Sequence, residues 1–425
     1  MDSSPARKIP APSPVRRTGG KSKARPDSRK NTNTEENAGL KIIPKRVKTK
    51  IKMFSKRLGL DLPFLALILI LVIIGLIMMF SASYPSALAY TESSYTYLIR
   101  QGIFAVAGIA FMIIISYFNY NLWHKLAVPI LIAAVILLGL TLVWPTDSGV
   151  HRWIGFGMFT IQTSEIAKFA LILFLAHWGS LHFKRMDKFS YGFVPPVLIF
   201  IVMGGPLLLQ PHFSGTVILA MLMGTMMFTS GVKLRYFGLL FLMLGLAVLA
   251  LYVTGKLGYA MDRLNGWGQA LTPNLDEDTW NKTYQTRNSL YAIGSGGFWG
   301  QGLGQSRQKY LYIPEVQNDF VFAVVCEELG FVGAAIILCL FALLVWRGIT
   351  ISMRAKDNFG TLLGIGLSAQ IGYQAILNIM VITDWMPNTG ISLPFFSYGG
   401  SSLVMLLCQM GIILSISRES NMEKV

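Results

Sequence analysis

Ten apolar stretches, each close to 20 residues long, follow one another along most of the chain and leave little room for a soluble fold. About 20 apolar residues in a helix span the hydrocarbon core of a bilayer. The stretches lie near 62–82, 101–117, 126–144, 164–181, 193–210, 215–231, 236–255, 319–346, 360–382 and 399–417. Only 14% of the residues are charged, against about 25% in a soluble domain. These features predict an all-α integral membrane protein with about ten transmembrane helices.

The net charge of +16 is concentrated in residues 1–58, which hold 17 Lys or Arg and 4 Asp or Glu. This segment is rich in Pro, Ser, Gly and Asn, so it can bury too little apolar surface to fold. We predict a disordered, basic cytoplasmic tail in which 41–57 could lie as an amphipathic helix on anionic lipid. Because the basic residues flank the first span, membrane lipid is the expected partner and nucleic acid is not.

Lys and Arg are unevenly distributed among the short loops of the transmembrane domain, 59–418. If the tail is cytoplasmic, basic residues such as Lys184 and Arg347 fall on the same side, which satisfies the positive-inside rule. Both termini are therefore predicted to be cytoplasmic, with 419–425 as a short tail. The long connection between spans 7 and 8, 256–318, is then extracytoplasmic, and a loop of this size is usually functional.

Ionisable residues within the predicted spans are costly in lipid and often functional. Glu165 and Lys168 share a helix face at i,i+3 spacing. They are either a structural ion pair or part of a polar cavity wall that also contacts an anionic ligand. Glu327 and Glu328 lie roughly 12 Å deeper along a helix than Asp319. They are predicted to pack within the bundle, hydrogen-bonded to other helices.

Asp319 lies where the long loop enters the eighth span, near Arg307 and Lys309 in sequence. The position allows either a helix-capping role or a catalytic one. The segment Met386–Leu403, which contains Ser397, has two prolines, three glycines and several hydroxyl groups. Irregular backbone at membrane depth is tolerated only where it is buried or lines a cavity. This segment is therefore predicted to fold back toward the outer face.

Two other classes of site are excluded by spacing. Cys326, Cys339 and Cys408 lie in apolar runs and form no C-x-x-C pair, so buried thiols are expected and not a disulfide or a zinc site. The glycine-dense segment Gly294–Gly304 lacks the G-x-G-x-x-G spacing and follows no predicted strand, so it is not a dinucleotide site.

Three segments of the chain resemble the SEDS family of bacterial membrane proteins, which comprises FtsW, RodA and SpoVE. They are HRWIGFGMFTIQTSEIAK (His151–Lys168), the glycine-rich segment Tyr284–Gly330 and LPFFSYGGSSL (Leu393–Leu403). The resemblance covers about 60–418 and is stronger to FtsW and SpoVE than to RodA. It implies a peptidoglycan glycosyltransferase that polymerises lipid II into glycan at the outer face of the bacterial cytoplasmic membrane. It also implies a class B penicillin-binding protein transpeptidase and other division proteins as partners, with cell division at the septum as the expected process.

The family's catalytic aspartate matches Asp319, which implies that this carboxylate is the general base on the acceptor 4-hydroxyl while undecaprenyl pyrophosphate leaves. The matching positions around it are Pro314, Glu315, Phe320 and Phe322. The family's Arg-Trp and Gln-x-Ser-Glu-x-x-Lys patterns match Arg152, Trp153, Gln162, Ser164, Glu165 and Lys168. The chain departs from the family pattern at His212, Gln317, Asn318 and Asp384. His212 stands where an acid is common, which puts in doubt any role for an acid at that turn.

A leaving pyrophosphate develops negative charge, so fixed cations are expected to stabilise the transition state. The predicted pyrophosphate and cavity residues are Arg152, Glu165, Lys168, Arg263, Arg307, Lys309 and Ser397. We expect at least two of the cations to line one cavity with Asp319. A divalent cation, Mg²⁺ or Mn²⁺, could share this work, because Mg²⁺ commonly bridges phosphate and one carboxylate. No organic cofactor is expected.

Two other functions are compatible with the same features. A lipid II flippase also needs many spans with polar interior residues, but here the polar residues cluster at one face and no repeated pair of broken helices is evident. A non-catalytic scaffold for cell division is the second alternative, and the intact sequence pattern around Asp319 argues against it only weakly.

Overall fold

The structure is a computed structural model that describes residues 59–421, with gaps at 92, 145–151, 157–158, 211, 254, 256–263 and 265. The predicted basic tail, the cation Arg263 and residues 422–425 therefore lie outside the described residues.

Apolar helices occupy all ten predicted stretches in the described part of the chain. They are α1 (Leu62–Tyr90), α2 (Thr96–Tyr117), α3 (Asn121–Val143), α4 (Thr163–Leu181), α5 (Val194–Leu209), α6 (Phe213–Thr229), α7 (Arg235–Val253), α9 (Val321–Met353), α10 (Asn358–Ile382) and α11 (Gly400–Asn421). Eight are long and apolar enough to cross a membrane, whereas α6 and α7 are shorter apolar helices by the same measure. The predicted multi-span α-helical class is confirmed, and the orientation in the membrane stays a prediction.

One element of the fold is a β-hairpin that the all-α prediction missed. Strands β1 (Trp153–Phe156) and β2 (Phe159–Gln162) pair antiparallel, with Trp153 opposite Gln162. Helix α4 begins at the next residue, Thr163. The hairpin therefore brings Arg152, which directly precedes β1, close to the first turn of α4.

The predicted large loop contains a helix of its own, α8 (Glu277–Gly296). Asp276 caps it by accepting a hydrogen bond from the backbone N–H of Thr279 at 3.2 Å. The buried Arg287 lies over the ring of Trp280 at 3.6 Å and donates to the carbonyl of Ala270 at 2.8 Å. These contacts fasten the turns that precede α8 to the helix itself.

Helix α9 is interrupted at Gly330, whose φ of 65° and ψ of −170° are not helical. The glycine-rich chain that follows α8 crosses the interruption and bonds to its backbone: the N–H of Gln301 donates to the carbonyl of Glu327, and that of Phe331 to Gly297. A Cβ on Gly330 would lie 2.2 Å from the backbone nitrogen of Gly300. The glycine-dense sequence is thus required for a close backbone crossing, and the crossing satisfies polar groups that the broken helix leaves open.

The helices differ in how central they are. In the most apolar 18-residue part of each helix, 67% of the residues are buried in α4 and α11 and 61% in α10, against 22% in α2. Close approach of α2 and α11 is possible because a Cβ on Gly411 would already lie 2.5 Å from the carbonyl oxygen of Met112. In a membrane the hydrophobic effect does not drive helices together, and small residues at helix crossings allow the close van der Waals packing that does. The central helices α4, α10 and α11 also position the polar residues described below.

Candidate active site at the large-loop end

The polar residues singled out in the sequence lie at one end of the bundle, named here the large-loop end. At this end α1 and α10 finish, α4, α9 and α11 begin, and the segment 266–320 is attached. The predicted irregular segment before α11 has no helix between 383 and 399, and much of its second half is buried. It is therefore an internal wall of this end and not an ordinary exposed loop.

Asp319 is half-buried in the last turn before α9. The helix begins at Val321, and its N-cap position is Phe320, which forms no side-chain capping bond. Asp319 thus does not occupy the capping position that was one of its two predicted roles. Its carboxylate instead approaches Gly390, where an added Cβ would lie 2.9 Å from Oδ2. Gly390 has a φ of 68°, a conformation that favours glycine.

The two irregular segments that meet at Asp319 are joined by buried amides. Asn378 of α10, which is fully buried, donates from Nδ2 to the carbonyl of Asp319 at 2.7 Å and to that of Ile391 at 2.6 Å. The backbone N–H of Tyr398 donates to the carbonyl of Gln317 at 2.8 Å. These bonds hold the 390–398 segment against the turn that carries the carboxylate.

Ser397 is buried in this wall, and its hydroxyl accepts a hydrogen bond from the backbone N–H of Leu393 at 2.7 Å. Gln101 of α2 donates to the carbonyl of Ser397 and accepts from the N–H of Gly399. These contacts shape the irregular segment locally, so the geometry explains Ser397 as a turn-stabilising residue that also lines a cavity.

Glu165 and Lys168 form the predicted ion pair, with 2.6 Å between Nζ and Oε1. Both side chains are buried, at 6% and 4% exposed. His212 lies nearby at the start of α6, and its pKa is lowered to about 3 by burial and then by the positive charges of Arg152 and Lys168. The His212 imidazole is therefore neutral. The net charge of Arg152, Glu165, Lys168 and His212 together is positive.

A small cavity joins this ion pair to the irregular segment. It has a volume of about 10 Å³ and is lined by Glu165, Gln374, Ser392, Leu393, Pro394, Phe395, Ser397, Ser402, Leu403 and Leu406. Oε2 of Glu165 and Oε1 of Gln374 are buried here without a protein hydrogen-bond partner among the described residues. The volume is near the minimum for one water molecule. Because Ser392 is two residues from Gly390, at most about 7 Å along the chain, Asp319 and the ion pair face neighbouring parts of one segment.

Glu327 and Glu328 are bonded mainly to the loop before α9, together with one residue of α1. Glu328 pairs with Nζ of Lys309 at 2.8 Å and accepts from the hydroxyl of Ser81 at 2.7 Å. Glu327 accepts from the hydroxyl of Ser306 and from the backbone N–H of Arg307 at 2.9 Å. The predicted packing role is thus matched by the geometry, but most partners come from the loop and not from other helices.

The predicted cations are distributed over two groups. Arg152 and Lys168 lie beside the hairpin and α4, within the electrostatic reach of His212. Lys309 is 2% exposed and donates to Glu328, Ser81 and the carbonyl of Gly304. All three of its protons are used, which favours a structural role, and its assignment to pyrophosphate stays a prediction. Arg307 is exposed.

An apolar groove of about 610 Å³ is also lined in part by α10. Its lining comes from α5, α6, α7 and α10 and includes Phe200, Val217, Met221, Phe228, Phe237, Leu240 and Tyr373. Tyr373 lines the groove and the next residue, Gln374, lines the polar cavity, so α10 contributes to both. An extended apolar group fits this lining, because few polar atoms are present to fix a hydrophilic one.

Sequence reasoning overlooked the buried amides Gln101, Gln374 and Asn378. The signal was present, because each interrupts an apolar stretch and polar residues within spans are expensive. Ionisable residues were predicted to form the site, whereas the uncharged amides Gln101 and Asn378 make the contacts that shape the wall.

The described residues contain no group of three or more His, Cys, Asp or Glu that could hold a metal ion. A divalent cation at Asp319 would therefore take most of its ligands from water and from a phosphate group of the substrate. Such a ligand set is common for Mg²⁺, so the single carboxylate fits that arrangement.

The family model described as cell cycle protein, for FtsW, RodA and SpoVE, matches residues 61–422. Stage V sporulation protein E of Bacillus subtilis is 38% identical, over 87% of this chain and 100% of that protein. A probable peptidoglycan glycosyltransferase FtsW of Geobacter is 35% identical, over 84% and 97%.

Solved structures are similar as well. A peptidoglycan synthase complex that coordinates polymerization and crosslinking contains a chain with a TM-score of 0.66 and 26% identity, over 86% of this chain and 99% of that one. The rod shape determining protein RodA of Thermus thermophilus has a TM-score of 0.61 and 26% identity, over 85% and 98%.

Proposed function

This chain belongs to the family of cell cycle proteins that comprises FtsW, RodA and SpoVE, and on that premise we propose that Asp319 is the general base of its glycosyltransferase reaction. The chain is a multi-pass membrane protein and a peptidoglycan glycosyltransferase, with cell division as the process it serves. The substrate is lipid II, a disaccharide on a polyprenyl pyrophosphate, and the product is a glycan strand.

The observation that carries this proposal is the environment of Asp319. It is half-buried and beside a glycine, so a sugar hydroxyl can approach the carboxylate without meeting a side chain at position 390. In the reaction the acceptor 4-hydroxyl gives its proton to Asp319 as its oxygen attacks the anomeric carbon. The bond from that carbon to the pyrophosphate oxygen breaks, and undecaprenyl pyrophosphate leaves. A positioned base of this kind contributes roughly 10²–10⁴-fold.

The leaving pyrophosphate needs positive charge close to the reacting carbon. Arg152 and Lys168 supply it, because both act on His212 at this end of the bundle and Lys168 pairs with Glu165, which lines the cavity beside the irregular segment. The exposed Arg307 is a third cation, and Arg263 is retained from the sequence pattern. Mg²⁺ or Mn²⁺ would add charge at the same place, and polymerisation unchanged by EDTA would argue against the metal.

The polyprenyl chain of lipid II requires an apolar path. The groove between α5, α6, α7 and α10 offers one, and α10 also lines the polar cavity. A tail in the groove and sugars at the large-loop end would place the pyrophosphate between the two. This arrangement supports lipid II as the substrate.

The similarity to a chain of a peptidoglycan synthase complex supports a crosslinking partner. The partner is a class B penicillin-binding protein transpeptidase, which joins peptides on the strand that this chain polymerises. We place the protein in the bacterial cytoplasmic membrane at the division septum, together with other division proteins. The large-loop end faces outward, where lipid II carries its sugars.

The test uses purified full-length protein and fluorescent lipid II. We expect the wild-type protein to make glycan and Asp319→Asn, which keeps size and polarity, to lose at least about 100-fold of the rate with unchanged yield. Asp276→Asn is the matched control, because this exposed acid only caps α8. More than about a tenth of the wild-type rate in Asp319→Asn would remove the general-base assignment.

The same assay separates the alternatives. Lipid II that crosses vesicle membranes without forming polymer would identify a flippase. The absence of both polymer and transport would favour the non-catalytic division scaffold.

A further inference from the structure

Asn378 is the fully buried amide that links the turn of Asp319 to the segment containing Gly390. Both acceptors are backbone carbonyl oxygens, so only the NH₂ end of the side chain fits between them. The two distances, 2.7 and 2.6 Å, use both protons of that group. The orientation of the amide is therefore fixed by chemistry, and its two bonds connect parts of the chain that are 72 residues apart.

The consequence of the link is seen at the carboxylate. Ile391 directly follows Gly390, the residue whose missing Cβ would lie 2.9 Å from Oδ2 of Asp319. Holding the carbonyls of Asp319 and Ile391 on one NH₂ group thus sets the distance between the carboxylate and the wall beside it. Without the link, the bond from the N–H of Tyr398 to the carbonyl of Gln317 still joins the two segments, but the irregular backbone around Asp319 and Gly390 can shift.

We propose that Asn378 is a positioning residue for the glycosyl transfer, which holds the Asp319 carboxylate and the 390–391 wall at the separation that admits the acceptor hydroxyl. This proposal rests on the proposed role of Asp319 as the base. Asn378 acts through the backbone and need not touch the substrate. Because a misplacement of about 1 Å can cost on the order of 10²-fold in rate, a link of this kind is expected to affect kcat more than KM.

A purely structural role is the competing explanation, since any buried amide with two bonds stabilises the fold. The two roles differ in what a substitution does to folded enzyme. A structural residue changes the amount or the melting temperature of the protein but leaves kcat per folded molecule and its pH profile alone. A positioning residue changes both of these at temperatures well below melting.

The experiment compares Asn378→Leu, which has nearly the same shape without donors, with Gln370→Met. Gln370 is the matched control, because it is a fully buried amide two turns away on α10 and has no protein partner among the described residues. Rates of glycan formation from lipid II are measured on full-length protein against substrate concentration and pH. We expect kcat at least about 10-fold lower in Asn378→Leu, KM within about threefold, and near-normal kinetics in Gln370→Met.

The pH profile gives a second readout. Loss of the two bonds from Asn378 changes the surroundings of the Asp319 carboxylate. The acidic limb of the kcat profile should therefore shift in Asn378→Leu and stay in place in the control. Asn378→Asp keeps the volume but sets a carboxyl against two carbonyls, and it should lose at least as much rate.

The outcomes are separable from those for Asp319. If Asp319→Asn is inactive but Asn378→Leu has the kcat and pH profile of the control, the positioning role alone is wrong. Wild-type kinetics in Asn378→Asp would also overturn it, because the direction of the hydrogen bonds would not matter. If Asn378→Leu does not fold, Asn378→Gln, which keeps the donors one bond further out, is measured instead, and an unchanged kcat and acidic limb there would refute the proposal.

Discussion

Asp319 and the pair Glu327–Glu328 are eight residues apart in sequence and differ in almost every physical respect. Asp319 is half-buried beside a glycine, on irregular backbone just before a helix. Glu327 and Glu328 are 1% exposed, within a helix, and surrounded by donors from Ser81, Ser306 and Lys309. An acid that works on a substrate has to be reachable by it, whereas an acid that holds a fold can be enclosed by its donors. The comparison teaches that access to the carboxylate distinguishes the two proposed functions.

The largest expected effect comes from the enclosed acids Glu327 and Glu328. Lys309→Met leaves Glu328 buried without its cation, and removing one partner of a buried pair costs about 3–5 kcal/mol. We expect a strongly reduced yield and melting temperature, with partial recovery in Lys309→Met/Glu328→Gln. Thermal denaturation in detergent measures it. A Lys309→Met protein that melts like the wild type but does not polymerise lipid II would instead assign Lys309 to the pyrophosphate.

A smaller loss is expected for Glu327→Gln. The substitution keeps one acceptor for Ser306 or for the N–H of Arg307 but loses the charge, and hydrogen bonds to charged groups are worth about 1.5–3 kcal/mol. We expect a lower melting temperature with partial activity retained, the reverse of Asp319→Asn. Polymerisation rate per folded molecule is the decisive measurement, and a full loss at an unchanged melting temperature would erase the distinction between the two acids.

The smallest effect concerns Asp384, a third acid at this end, in the turn after α10. Burial raises its pKa, although backbone N–H groups of Gly268 and Ala270 oppose the shift. A raised pKa in the folded state means that stability is present at low pH and is lost as pH rises through that value. Asp384→Asn should therefore be slightly stabilising at pH 7, by less than about 0.5 kcal/mol. Asparagine also tolerates the positive φ of this position.

The check is the difference in melting temperature between Asp384→Asn and wild type at pH 7 and at pH 4. The difference should shrink at the lower pH, because protonation then relieves the wild-type side chain. A destabilised variant at pH 7 would show that the charge is held by its backbone donors, as Glu327 is.

Hydropathy alone predicted where the apolar helices run, because about 20 consecutive apolar residues have few alternatives in a membrane. It did not predict the interruption at Gly330, since the non-helical backbone depends on a second segment that crosses it from outside the helix. For the same reason the sequence did not predict the structural partners of Lys309, whose assignment to pyrophosphate stays a prediction. Its ion pair with Glu328 joins a loop to a helix, and nothing in the local sequence shows that this loop packs against the helix.

Resemblance identified Asp319, but it could not supply the contacts that hold it. Asn378 is 59 residues away in the sequence and is an unremarkable amide within an apolar run. Its role depends on two backbone carbonyls meeting at one point, which is a property of the folded chain. The hairpin beside Arg152 was missed because two strands of four residues are too short to rise above the surrounding apolar pattern.

The partners of Glu327 and Glu328 also have a consequence for how the protein is made. Ser81, Ser306 and Lys309 all precede the two glutamates in the chain. Lys309 and the two serines are therefore synthesised before the two glutamates that they contact. An acidic residue entering the bilayer alone is expensive, about 2.5–3.5 kcal/mol by insertion measurements. The order of synthesis lets each acid enter the membrane with its partners already available: Lys309 neutralises Glu328, and Ser306 and the backbone N–H of Arg307 donate to Glu327.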